Sequence, residues 1–113
     1  MSYDLAFWYE EDAIDAEEAY QKYDALTDGA SGVVTKHPGV SAFYRDILER
    51  FSDLSEANWE QSPWSSPVYF NGECILVAIS WSRKDEVSTA LVPLAQNHGL
   101  MTYDPQRGEA VVP

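Results

Sequence analysis

The sequence predicts one α+β domain: a single-layer, mostly antiparallel sheet with helices packed on one face. Three observations carry that expectation. Apolar side chains alternate with a period of two at 3–9, and a strand-length apolar run, Cys74 to Ile79, lies within 73–81; both are patterns of strands. Apolar positions recur three and four apart over 16–26, 43–51 and 87–94, the pattern of helices. With 113 residues the chain is read as a single domain over 1–113, because two halves would each be too small to bury a core. The order is β-α-α-β-β-α-β with an optional last strand. A ferredoxin-like plan results if the first two helices jointly replace one helix.

The elements follow in order. Tyr3, Leu5, Phe7 and Tyr9 share one face of the first strand, and Asp4, Ala6 and Trp8 the other. Asp12 is positioned to cap a helix to about Thr27, with Ala16, Ala19, Tyr20, Tyr23 and Leu26 as its stripe. Asp28-Gly29 stops it, and residues 29–39 read as a mobile linker. Ser41 caps a second helix through about Ser52, striped by Tyr44, Ile47, Leu48 and Phe51. Residues 53–67 read as loop. Asn71-Gly72 between apolar runs predicts a two-residue type I′ hairpin, both central residues having positive φ. The strand that follows is apolar on both faces and therefore central. Ser82 caps a third helix that Pro93 should kink, and Asn97-His98-Gly99 ends it. A strand over 100–103, a turn at Asp104-Pro105 and a short edge strand at 109–112 complete the chain.

Charge is the strongest compositional signal. The chain has 19 acidic and 7 basic side chains, a net charge of −12. Residues 1–30 hold nine of the acids and only Lys22 as a base, so two thirds of the net charge sits in about a quarter of the chain. This argues against nucleic acid and anionic membrane as partners, since phosphate binding needs clustered Lys and Arg. The opening MSYDLAFWYEEDA has neither the basic start nor the apolar run of a secretory signal. With Cys74 as the lone cysteine, inside an apolar run, the expectation is a buried, unreactive thiol and a reducing cytoplasm.

Motifs for catalysis are sparse. His37 and His98 are the two histidines, with no CxxC or HxxxH spacing, so neither metal nor cofactor is expected. No Gly-rich phosphate loop or GxSxG elbow occurs. His98, Tyr103 and Asp104 are the candidates for a small enzyme or ligand pocket between sheet and helices. His37 reads as plain surface.

The better-supported expectation is a protein-binding module. Glu10, Glu11, Asp12, Asp15 and Glu18 form the acidic group that would meet a basic partner. Trp59 and Trp64 lie in a polar loop, with Glu56 and Glu60 flanking Trp59, and are either lids over the core or exposed anchors. An exposed Trp loop would also serve as a homodimer contact.

The opening Tyr3-Asp4-Leu5-Ala6-Phe7-Trp8 and the closing His98-Gly99-Leu100-Met101-Thr102-Tyr103-Asp104-Pro105-Gln106 resemble a group of small uncharacterised bacterial proteins. Members share a "YDL-x-x-W" start and an "HGL-x-x-[FY]-DPQ" end. Ser62-Pro63-Trp64 and the Ser82–His98 helix fall in matching order. Some such proteins look like immunity proteins encoded beside toxins. The resemblance implies an inhibitor that occludes a basic toxin or enzyme, and carries over no catalytic residue.

Overall fold

The computed structural model describes residues 1–113. Its elements are β1 (Ser2–Trp8), α1 (Ala16–Thr27), α2 (Pro38–Arg50), β2 (Tyr69–Phe70), β3 (Cys74–Ser80), α3 (Lys84–Asn97), β4 (Met101–Asp104) and β5 (Glu109–Val111). A 3-10 turn at Trp81–Arg83 leads into α3. The α+β class is as the sequence predicts.

The strands form one sheet in the order β2-β3-β1-β4-β5, each neighbour antiparallel to the next. The connection from β1 to β2 spans β3, and the connection from β3 through α3 to β4 spans β1. That is the split β-α-β arrangement of a ferredoxin-like plan, extended by β5. β1 is the centre of the sheet, paired along its whole length with β3 from Ser2↔Ser80 to Trp8↔Cys74. It pairs with β4 over Ala6–Trp8 alone. Beyond the end of β4 the Gln106 side chain takes over the ladder. Its Oε1 accepts from the Asp4 amide at 2.6 Å and its Nε2 donates to the Asp4 carbonyl at 2.7 Å.

The layering corrects the expectation of helices on one face. Leu5 and Phe7 join Ile75, Val77 and Ile79 in a core closed by Val40, Phe43 and Ile47 of α2 and Val87, Leu91 and Ala95 of α3. Ala6 and Trp8 point the other way. With Cys74, Met101 and Tyr103 they form a second, smaller core closed by Ala19 and Leu26 of α1 and by Val34. Successive strand side chains alternate between faces, so a strand apolar on both sides needs cover on both. α2 alone therefore fills the crossover position, and α1 is a third layer. Fully buried side chains such as Phe7 and Ile47 each contribute about 1.5–3 kcal/mol.

Several boundaries differ from the sequence reading. α1 is capped by Asp15, not Asp12; the Asp15 Oδ1 accepts from the Glu18 amide at 2.8 Å. α2 begins at Pro38 rather than after Ser41, with Pro in the first turn, where its missing N–H costs nothing. Its cap is His37, whose Nδ1 accepts from the Gly39 amide at 3.0 Å and whose ring stacks on Tyr9 at 4.1 Å. His37 is thus a structural residue and not plain surface. The preceding linker is tied down as well, with Val34 buried and the Gly32 amide donating to Glu73 at 2.8 Å.

Ser82 lies inside the 3-10 turn and caps nothing; α3 has no side-chain cap. Pro93 lies inside α3 on its exposed side, and the helix continues to Asn97. Gly99 then takes φ +76°, and the Leu100 amide bonds back to the Ala95 carbonyl at 2.9 Å, a Schellman ending.

The 71–74 turn is not type I′. Phe70 pairs with Ile75, which leaves a four-residue connection, and Gly72 alone of these residues has positive φ. The Asn71 Oδ1 accepts from both the Glu73 and Cys74 amides, at 2.9 and 3.0 Å, so an Asx turn replaces the predicted geometry.

Candidate functional site

The acidic segment begins where β1 leaves the sheet. Trp8 is fully buried, and its indole N–H donates to Glu10 Oε2 at 2.7 Å. The same oxygen accepts from Lys22 Nζ at 2.7 Å, and Lys22 lies 3.6 Å from Glu18 one turn earlier on α1. Charge-assisted bonds of this length are the strong ones, and here they lash the segment after β1 to α1. The Glu10 side chain is only 14% exposed. Its expected role as a free contact is therefore corrected: it anchors Trp8 and Lys22.

The other acids remain outward. Glu11, Asp12, Asp15, Glu17 and Glu18 are exposed. Glu11, Asp12 and Glu17 have no basic partner, and Asp15 spends one oxygen on its cap. Lys22 offsets Glu10 and part of Glu18, so the segment keeps a strong negative field. Between it and the 32–35 loop lies an open cleft of about 520 Å³. Glu10, Glu11, Asp12 and Glu18 line it with Lys22, and Val33 and Val34 close the other side. Carboxylates around a walled cleft suit a cationic side chain, which would gain from them more than on an open surface.

The two tryptophans part company. Trp64 is 2% exposed; its N–H donates to the Phe51 and Ser52 carbonyls at 3.3 and 3.1 Å. It is a lid over the core and unavailable as an anchor. Trp59 is 63% exposed. It does not adjoin the acidic cleft, however. Its loop is stitched to the far end of β3, where Ser80 donates to the Pro63 carbonyl at 2.7 Å and Trp64 bridges Ile79. The acids follow Trp8, which pairs with Cys74 at the opposite end of that strand. A seven-residue strand separates the two by about 20 Å.

The expected His98–Tyr103–Asp104 group does not assemble. His98 Nε2 pairs with Asp46 of α2 at 2.7 Å. Tyr103 faces α1, 5.4 Å from the Tyr23 ring. Asp104 faces the α3 side and accepts from the Tyr3 hydroxyl and from the Gln106 amide and side chain. Neighbouring strand residues point to opposite faces, which alone separates Tyr103 from Asp104. Cys74 is buried, and burial, reinforced by Glu73, pushes its thiol up to about 11. It is protonated and unreactive at neutral pH. No cluster of three metal-ligating side chains occurs, and no helix is long and apolar enough to cross a membrane.

Sequence reasoning missed the division of labour among the acids. The Glu18/Lys22 spacing signals a helical ion pair, but Glu10 joins it through a fold in the chain. No family model, curated protein or solved structure matches the chain.

Proposed function

We propose that this chain is an acidic protein-binding module that neutralises a basic toxin or enzyme by covering its active site, as an immunity or inhibitor protein does. One observation carries the reading: Glu11, Asp12 and Glu17 stand exposed and unpaired beside a carboxylate-lined cleft. Enzymes that handle anionic substrates present basic clefts, and such a surface complements one. Contact begins with long-range attraction to residues 11–18. A Lys or Arg of the partner then enters between Glu11, Asp12 and Glu18.

The structure dictates the variants for the test. Asp15 caps α1, so reversing it would unravel a helix end; Asp15→Asn keeps the cap and removes the charge. Glu11→Lys and Glu17→Lys break no bond. Partners captured from cells that carry the gene are identified, and association is followed by stopped flow across a salt series. The triple variant should associate about tenfold more slowly or worse, with a flatter salt dependence. An association rate that ignores both salt and these substitutions sinks the proposal, as does a partner whose contact surface is acidic.

A further inference from the structure

We propose that the groove between α3 and the β4–β5 edge of the sheet binds a small neutral polyhydroxylated ligand, a molecule the size of a monosaccharide. The groove lies on the α2/α3 face of the sheet, near the start of β1. It is separate from the acidic cleft, which follows the end of β1 beside α1. Its volume is about 300 Å³, at the small end for ligand pockets.

The first observation is a buried hydroxyl without a partner. Thr102 is 1% exposed and lines the groove. It pairs in register with Phe7, so its side chain points toward α3. Its Oγ1 is the one buried side-chain oxygen or nitrogen in the protein with no hydrogen bond. Buried polar atoms are nearly always satisfied, and leaving one unmet is costly enough to call for a reason. A ligand hydroxyl seated beside Thr102 supplies one.

The second observation is the carboxylate next to it. The Asp104 Oδ1 accepts from the Gln106 amide at 2.9 Å, from Gln106 Nε2 at 2.7 Å and from the Arg107 amide at 3.2 Å. The Oδ2 accepts from the Tyr3 hydroxyl, with Arg107 Nε at 4.0 Å. The group is held in place from one side, and Oδ2 keeps a lone pair for a further donor. Such fixed acceptors orient a ligand at little entropic cost.

The third observation selects the class of ligand. Lys84 and Arg107 face the groove together with Asp85, Asp104 and Glu109, and Ser88 and Thr89 add hydroxyls. An anion would meet three carboxylates, and a cation two bases. Neutral hydroxyls both donate and accept, and so satisfy either kind of group. Tyr3 also lines the groove, and Lys84 Nζ lies over its ring at 5.8 Å, which leaves that base partly engaged and less free to draw in an anion.

The test is a titration of the isotope-labelled protein, followed by amide chemical shifts. Glucose, galactose, N-acetylglucosamine and glycerol are the probes, with phosphate and lysine as charged controls. At least one polyol should shift the amides of Thr102, Ser88 and Thr89 saturably, with a dissociation constant on the order of 1 mM. Thr102→Val, which keeps the shape, should weaken that binding about tenfold while unfolding at the same or a higher temperature. Thr102→Ser should retain it. The proposal is overturned if no polyol gives a saturable shift, or if phosphate or lysine binds more tightly than any polyol. Unchanged binding by the valine variant overturns it equally.

Discussion

Gly39→Ala tests how closely α2 is seated against the end of α3, and its sign alone decides the matter. Gly39 lies in the first turn of α2, with no positive φ to protect. On helix propensity alone, alanine there should stabilise by about 0.5–1 kcal/mol. The structure says otherwise. A Cβ at position 39 would lie 2.6 Å from the His98 carbonyl oxygen and 2.9 Å from His37 Nδ1. The first atom is backbone, at the cap of α3. The second belongs to a ring stacked on Tyr9 at 4.1 Å and bonded to the Gly39 amide. Neither can step aside without moving a helix end. Overpacking of this kind costs about 1–3 kcal/mol, which outweighs the propensity gain. The net loss is on the order of 1–2 kcal/mol, a fall in melting temperature of about 4–8 °C for a domain of this size. Thermal unfolding by circular dichroism and urea titration both measure it. An alanine variant as stable as the parent, or more so, would refute the close approach of the two helix ends.

The tryptophans should separate cleanly in the same assays. Trp64→Ala removes a buried ring and two hydrogen bonds to carbonyls and should cost about 3–5 kcal/mol, whereas Trp59→Ala should stay within about 0.5 kcal/mol. Equal losses in urea unfolding would contradict the assigned burial. Stability should also decline in alkali. Burial raises the Cys74 thiol from 9.0 to about 11 and lifts the Tyr3, Tyr23 and Tyr103 phenols above their usual 10.0. The unfolded chain therefore releases these protons first. Stability from the thiol is complete below pH 9 and is lost as pH rises to about 11, with the phenols following from 10 upward. The urea midpoint should fall through that window, and less steeply for Cys74→Ala between pH 9 and 10. A flat midpoint would remove the burial argument.

The elements themselves were legible because periodicity is local. Leu5 and Phe7 against Ala6 and Trp8, or Val87 and Leu91 on α3, announce their geometry within a few residues. The helix starts were less so. Asp12 and Asp15 are equally good caps on paper, and only the course of the chain after Trp8 decides between them. Ser41 and Ser82 look like caps, yet Pro38 already starts α2 and a 3-10 turn absorbs Ser82. The two-sided apolarity of Cys74–Ser80 was visible and required a layer on each face; helices on one face alone did not honour it. In the acidic segment, charge was legible and pairing was not. Glu10 differs from Glu11 only in where β1 ends and how Lys22 reaches back from α1. The Thr102 groove stayed hidden because Tyr3, Lys84 and Asp104 meet only once the sheet register is set.

The central place of β1 bears on how the chain is made. Residues 2–8 leave the ribosome well before residues 74–80 and 101–104, the two strands that flank them. At about 5–20 residues per second, β1 waits several seconds with Leu5, Phe7 and Trp8 uncovered. Neither core can close in the interval, since both draw on this strand. Folding is therefore a late event that follows synthesis of β4, with the slow closure expected of distant contacts. Glu11 and Asp12, exposed and without a basic partner just beyond Trp8, are the kind of flanking charge that opposes association between uncovered apolar strands.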